Sequence, residues 1–327
     1  MGFAEDIPSG DLDPEAAHEE EKDLPQLQIE PNPHENSLEA VSRDFKQVID
    51  GREKQYDKDI KANPEMKSMR TNLEVHNGIV LGYATELIDS LDLSDEDRAV
   101  AIIATIEHDS GKLASKLLEH HTQGVAYADT RLDELMGQSV DGVEITPAIK
   151  QKVLEAIERH MNHPFLVKLN KGERFPEPQD DVDRVVFDAD MMANAGFKNV
   201  AIRLSNETFM AEDIAKAEED GTAVLKESFE NVMQGVKDLP KTVLTKQARE
   251  TTTNLVASVE QIMGYFDDND IFGQLQTEFS DSEGNFNIKT IAAKGGFSLI
   301  KMRINEEILK AGGKLDIDTQ YLPNFQM

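Results

Sequence analysis

Apolar residues recur along this chain at steps of three and four, which is the period of an α-helix with one buried face. The clearest run contains Leu73, Val80, Tyr83 and Leu87, and His76 falls on the same face. Residues at this spacing lie one above another on a helix. The pattern therefore predicts a helix that carries a histidine on its apolar side.

Helix start signals predict further helices. Ser94 is followed by acidic residues and then by an apolar stretch, which is typical of an N-cap. Pro147 suits the first turn of another helix, and Val182, Val186 and Asp190 share one face of a third. Two later segments with helical period are 222–236 and 243–267. Because alternating strand patterns are scarce before residue 275, we predict an all-α fold.

The two ends of the chain differ from this helical region. Residues 1–41 combine prolines, an acidic run and few periodic apolar residues, so we predict a disordered acidic tail. The main helical domain is predicted over 42–267. From 268 to 327, glycines separate short apolar runs that fit strands or helices equally well. For this segment we predict a small C-terminal extension of mixed structure.

Charge and composition narrow the function classes. The chain has 34 basic and 63 acidic residues, a net charge of −29. Such a balance disfavours a nucleic acid duplex or an anionic membrane as a partner. No apolar run approaches about 18 residues, so no membrane span is predicted. Cysteine is absent, which excludes disulfides and thiolate ligands and fits a cytoplasmic location.

Histidines are concentrated in one part of the chain. Of eight in total, six lie between residues 76 and 163. A single histidine on an apolar face is more often a hydrogen-bonded core residue than a ligand. Three such histidines, His76, His120 and His160, can converge on one interior point of a helical domain. Imidazole and carboxylate ligands suit a divalent ion such as Mn, Fe, Co, Mg or Zn.

The dipeptide His108-Asp109 is the most distinctive element. Neighbouring residues on a regular helix point about 100° apart, so the two cannot both face one ion from within a helix. They can do so where a helix ends. Ser110-Gly111 follows directly and is consistent with such a break.

The order of these residues resembles the HD superfamily of metal-dependent phosphohydrolases. The resemblance rests on His76, then the run His108-Asp109-Ser110-Gly111-Lys112, then Asp188-Ala189-Asp190. It extends over roughly residues 65–267 and is supported by the helix that continues to Gly196 and by the segment 244–249. It implies an HD-domain helical bundle.

The resemblance implies that His76, His108, Asp109 and one aspartate near 188–190 hold the primary ion. Periodicity favours Asp190, because it follows Val182 and Val186 at four-residue steps. Asp188 shares its face with Asp181 and Arg184 instead. We therefore expect Asp188 to orient a ligand histidine from outside the ligand set.

Some members of the superfamily carry two further histidines and a second ion. His120 and His160 stand in the corresponding places, and His120 is preferred over His121 because it shares a helix face with Leu113 and Leu117. The alternative is that His120 and His160 only form hydrogen bonds or contact phosphate. One or two divalent ions per chain are thus expected.

The resemblance implies hydrolysis of a nucleotide or another small phosphate ester by a metal-bound hydroxide. Asp109 is expected to take part in catalysis as the ligand that bridges two ions. Lys112 is expected either to place its positive charge near a phosphate oxygen or to be an exposed lysine at a helix start without a role in the site. Arg159 is a weaker candidate for the same contact. Glu107 is expected to be a salt-bridge partner or a catalytic acid.

Two other functions remain open at this stage. A scaffold with all six ligands can also host a dinuclear iron oxygenase. The domain can also be a non-catalytic binding module that a metal stabilises. Measurements of iron content and oxygen consumption would separate the first of these from a phosphohydrolase.

Overall fold

Helices make up almost all regular structure in the computed structural model, which describes residues 35–195 and 221–314. Before residue 196 the helices are α1 (Glu35–Asp44), α2 (Lys46–Ala62), α3 (Lys67–Leu91), α4 (Asp95–Glu107), α5 (His120–Glu134), α6 (Pro147–Glu158), α7 (Pro164–Leu169) and α8 (Asp181–Ala195). After residue 220 they are α9 (Gly221–Thr242), α10 (Lys246–Asp268), α11 (Ile271–Phe279), α12 (Ile288–Ala293) and α13 (Gly296–Lys314). The other elements are two 3₁₀ turns, Pro64–Met66 and Arg159–Met161, and an antiparallel hairpin of Ser139–Val140 with Val143–Glu144. The prediction of an all-α fold is confirmed.

The largest of the three apolar clusters among the described residues is built around α4. Every residue of this helix from Ala99 to Glu107 is buried, and α3, α6 and α8 pack against it. All five residues of the predicted face of α3 are buried as well, including His76. The helices that carry the candidate ligands are therefore held by the same apolar core.

The predicted helix starts are confirmed by their caps. The Ser94 hydroxyl accepts a hydrogen bond from the backbone N–H of Asp97 at 3.2 Å, at the start of α4. Pro147 occupies the first turn of α6, where the Thr146 hydroxyl accepts from the backbone N–H of Ile149. Each cap satisfies a backbone donor that has no partner within its helix.

The predicted acidic tail ends earlier than residue 41. Helix α1 begins at Glu35, and Val41 and Phe45 are buried four residues apart in the main core. Burial of this pair explains why the helix extends into a segment that composition alone marks as polar. Residues 1–34 of the predicted tail lie outside the described residues.

The C-terminal segment shares a second core with the two helices before it. This core contains residues from α9 and α10 together with Phe272, Phe279, Ile300 and Ile304. The expected mixed structure is wrong for the described part of the segment, since residues 271–314 form helices joined by turns at Gly284 and Gly295. Within 35–195 and 221–314, no helix combines the length and the apolarity that a membrane crossing requires.

Candidate metal centre

The turn after α4 carries two neighbouring candidate ligands. Helix α4 ends at Glu107, and the backbone then turns through hydrogen bonds from Ser110 N to Glu107 O (2.9 Å) and from Lys112 N to Asp109 O (3.0 Å). His108 and Asp109 directly follow the last residue of the helix, and the side chains of both are fully buried. The predicted helix end at this dipeptide is confirmed.

The segment between His108 and His120 is not helical, contrary to the shared face proposed for Leu113, Leu117 and His120. Residues 108–119 form successive turns, Leu113 is buried and Leu117 is 46% exposed. His120 is nevertheless buried, because it is the first residue of α5 and enters the core from there. The burial of His120 therefore comes from its place at the start of α5 and not from the helix face that was predicted.

A close backbone contact fixes the turn against α5. A Cβ atom on Gly111 would overlap the backbone oxygen of His120 and would lie 2.7 Å from the backbone nitrogen of Gly124. Backbone atoms cannot give way as a flexible side chain can, so only glycine allows this approach. The contact brings the turn with Asp109 directly against the helix that begins with His120.

We call His76, His108, Asp109 and Asp190 the first group. The Nε2 atom of His76 lies 2.9 Å from Asp190 Oδ1 and 3.5 Å from Asp109 Oδ2. The Nε2 atom of His108 lies 3.4 Å from the same Asp109 oxygen. The four ligands predicted for the primary ion thus lie together, and Asp190, rather than Asp188, is the aspartate that reaches them.

Asp109, His120 and His160 form the second group. The Nε2 atoms of His120 and His160 lie 3.4 Å and 3.9 Å from Asp109 Oδ1, and 3.3 Å from each other. Both candidates for a second ion therefore converge on Asp109, whose other oxygen faces the first group. In each group, a triad that includes Asp109 has its ligand atoms within 4.8 Å of one another.

Backbone carbonyls hold three of the histidine rings. The Nδ1 atoms of His108, His120 and His160 lie 2.7, 2.5 and 2.6 Å from the carbonyl oxygens of the residues three positions earlier. A carbonyl only accepts, so each Nδ1 donates a proton and, in the neutral ring, leaves the Nε2 lone pair free for a metal ion. The histidines are therefore held in the tautomer that a ligand requires.

The Nε2 atoms of His120 and His160 face each other without a proton to share when both rings are neutral. Two lone pairs 3.3 Å apart repel unless a positive charge lies between them. Two ligands of one tetrahedral ion, each at about 2.1 Å, would be about 3.4 Å apart. Among the described residues, His108 Nε2 and Asp109 Oδ1 also lack a hydrogen-bond partner despite full burial. The donor set thus fits divalent metal ions, and each group could hold one.

The electrostatics of the cluster favour ionised carboxylates and a neutral His160. Burial alone would raise the pKa of Asp109, but the His108 and Lys112 side chains hold it well below its usual range. Burial likewise opposes ionisation of Asp190, and His76 outweighs it and lowers the pKa of that carboxyl. Burial, followed by His108 and His120, lowers the pKa of His160 to about 3. These are the protonation states that metal ligands need.

The pKa of His108 indicates the sign of the electrostatic potential at the centre of the first group. Burial would lower the pKa of its imidazole, yet the Asp109 and Asp190 carboxylates together raise it above the usual value. A raised pKa for a fully buried histidine means that the surroundings favour positive charge at that place. The same negative potential would stabilise a bound divalent cation.

Asp188 has a structural role and not the expected one beside a ligand histidine. Its two oxygens accept hydrogen bonds from the backbone N–H groups of Leu244 (2.8 Å) and Thr245 (2.7 Å). Burial raises the pKa of this carboxyl, and the two backbone donors oppose that effect. In the described structure, Asp188 therefore ties α8 to the start of α10, where Thr245 is the N-cap.

Lys112 and Arg159, two further candidates, have defined partners. The ammonium of Lys112 lies 2.5 Å from Asp109 Oδ2, at the open side of the first group. Arg159 is paired with Asp183 at 2.9 Å and with Glu155, so it is a structural cation here.

Glu107 forms a buried two-point ion pair with Arg131 of α5. Of the two readings of Glu107, the salt-bridge partner is the one that this contact supports.

Sequence reasoning missed two residues near the centre. Arg131 gave no signal, because its partner Glu107 lies 24 positions earlier on another helix. Asn194 did give one, since it follows Asp190 by one helical turn, and its amide contacts that residue. An asparagine inside a helix is unfavourable without a local hydrogen bond, which marks it as worth attention.

A scan against protein-family models and searches of curated proteins and of solved structures found no match. The geometry of the two groups and the sequence pattern therefore carry the functional argument.

Proposed function

We propose that this chain is a metal-dependent phosphohydrolase of the HD superfamily with a dinuclear centre. The observation that carries the proposal is the position of Asp109, which directs one oxygen to the first group and the other to the second. A buried carboxylate with imidazole side chains on both sides is suited to bridge two divalent ions. The all-helical fold and the chain order of the ligands support the same assignment.

The first group provides the open side of the centre. Lys112, Asp190 and His76 have 21%, 12% and 10% of their side-chain surface exposed, whereas those of His108 and Asp109 are fully buried. A small phosphorylated substrate, for which a nucleotide is the leading candidate, would approach from this side. Lys112 would then offer a positive charge to a phosphate oxygen, which an acidic protein needs at such a site.

The ions, Asp109 and the backbone carbonyls would have separate roles in hydrolysis. The bound ions would supply a lowered pKa of coordinated water and neutralisation of phosphoryl charge. Asp109 stays ionised at neutral pH, so it can bridge the two groups and accept a hydrogen bond from the attacking water. The backbone carbonyls that hold the histidine rings keep their Nε2 atoms in place during the reaction.

The test is a phosphate-release screen with the full-length protein loaded with Mn²⁺. Nucleoside mono-, di- and triphosphates and generic phosphate esters are offered as substrates, and the metal content is measured in parallel. We expect release of phosphate or pyrophosphate from at least one class and its loss when a chelator removes the ions. Metal-loaded protein that hydrolyses none of them would contradict the proposal and favour a binding module.

A dinuclear iron oxygenase is a second candidate, and one observation favours it. All six side chains that such a centre needs converge here: five form the two triads that share Asp109, and Asp190 lies 2.9 Å from His76. The screen separates the two functions when it is repeated with Fe²⁺ under air. Oxygen consumption without phosphate release would support the oxygenase.

Replacing His160 with alanine should convert a two-ion protein into a one-ion protein. The variant removes a ligand of the second group and leaves every ligand of the first group in place. We expect calorimetric titration with Mn²⁺ to saturate near two ions per wild-type chain and near one for the variant. Equal stoichiometry in the two proteins would show that the second group binds no ion.

A further inference from the structure

The side-chain amide of Asn194 contacts Asp190 twice. Its Nδ2 atom donates to the backbone oxygen of Asp190 at 2.8 Å and to the carboxylate oxygen Oδ1 at 3.0 Å. The same Oδ1 lies 2.9 Å from His76 Nε2. Asn194 therefore touches a ligand of the first group at the atom that faces another ligand.

This pair of contacts determines the orientation of both side chains. An amide nitrogen has two protons to donate, and both acceptors that Nδ2 contacts here are oxygens of Asp190. The reversed amide would place an oxygen against two acceptors and is excluded. Because one contact is to the backbone, the amide is anchored to α8 and can hold the carboxylate in one rotamer.

We propose that Asn194 is a positioning residue that orients the Asp190 carboxylate for metal binding in the first group. The inference rests on the proposed metal centre but not on the reaction that the centre performs. Without the amide, Asp190 keeps its charge and its place on α8 but gains rotational freedom. Outer partners of this kind change metal affinity by roughly 10- to 100-fold.

The effect should be confined to one group. Asp190 is not a member of the second group, whose ligands are Asp109, His120 and His160. Loss of Asn194 should therefore weaken binding of the ion in the first group and leave the other unchanged. A residue that only stabilised the fold would affect both groups alike.

Two backgrounds make this distinction measurable with Mn²⁺ as the probe. In His160→Ala protein the remaining ion belongs to the first group, and in His76→Ala protein it belongs to the second. Asn194→Leu, which has a similar volume but no donor, is introduced into each. We expect the dissociation constant for Mn²⁺ to be roughly 10- to 100-fold larger in the first background and to stay the same in the second.

Asn269→Leu is the matched control. Asn269 also donates to the carbonyl oxygen four residues earlier, that of Tyr265 at 2.8 Å, and it is the exposed C-cap residue of α10, whereas the candidate ligands are buried. Its replacement removes the same backbone contact without touching a carboxylate, so Mn²⁺ binding should not change. The thermal midpoint of each metal-free variant is measured to compare the stabilities of the folds.

The inference is overturned if Asn194→Leu binds Mn²⁺ as tightly as its parent in the His160→Ala background, or if it weakens both groups equally. Wild-type protein that binds no Mn²⁺ would remove the metal centre and with it both proposals. Wild-type protein that binds Mn²⁺ but releases no phosphate would contradict the phosphohydrolase alone, and the role of Asn194 would still be decided by its variants.

Discussion

Asp109→Asn protein is expected to lose Mn²⁺ from both groups and to hydrolyse phosphate esters at least two orders of magnitude more slowly. Asparagine keeps the volume of the side chain but removes the negative charge and replaces one ligand oxygen with an NH₂ group. Since the two oxygens of Asp109 serve different groups, this single change weakens both. The rate effect corresponds to roughly 3 kcal/mol in the activation barrier.

The change is measured as kcat/KM and as bound Mn²⁺ per chain, with circular dichroism to show that the helices remain. Asp129→Asn is a suitable control, because Asp129 pairs with Lys150 at the surface and such pairs contribute little. If Asp109→Asn protein kept wild-type activity and metal content, the central role assigned to this carboxylate would be wrong.

Arg131→Met is expected to lower the free energy of unfolding by about 3–5 kcal/mol, which is typical when one partner of a buried ion pair is removed. Glu107 is almost completely buried, and Arg131 meets both of its oxygens. Methionine fills part of the space but leaves the carboxylate without its cation. The variant also removes a contact between α5, which begins with His120, and the end of α4, which His108 directly follows.

Urea denaturation of metal-free protein measures this effect, and the double variant Glu107→Gln with Arg131→Met tests its cause. If the cost comes from an unpaired buried charge, the double variant should recover much of the lost stability. Arg174→Met provides the contrast, since Arg174 and Glu177 form an exposed pair worth less than about 1 kcal/mol. A loss for Arg131→Met as small as that for Arg174→Met would mean that the buried pair contributes little.

Much of the candidate centre could be predicted from the sequence because its ligands lie on regular elements or at their ends. Periodicity identified the inner faces of α3 and α8, and with them His76 and Asp190. The dipeptide His108-Asp109 indicated a helix end because two adjacent ligands need one. These are local rules, so they do not require knowledge of the tertiary structure.

The errors arose where distant contacts decide the outcome. Asp188 shares a helical face with Asp181 and Arg184, and both of those are exposed. It is buried because the start of α10, 56 residues later in the chain, covers that part of α8. Likewise, the C-terminal helices are stabilised by a core that they share with α9 and α10, which no pattern within residues 268–327 reveals.

The contacts between the histidine rings and backbone carbonyls make the ligand tautomers robust to mutation. In many metal centres a carboxylate side chain holds the second ring nitrogen, and a single substitution can remove it. Here the acceptors for His108, His120 and His160 are the main-chain oxygens of Thr105, Leu117 and Ile157. Every amino acid at those positions offers the same oxygen. The side chains at these positions can therefore vary without altering which imidazole nitrogen faces the interior of the cluster.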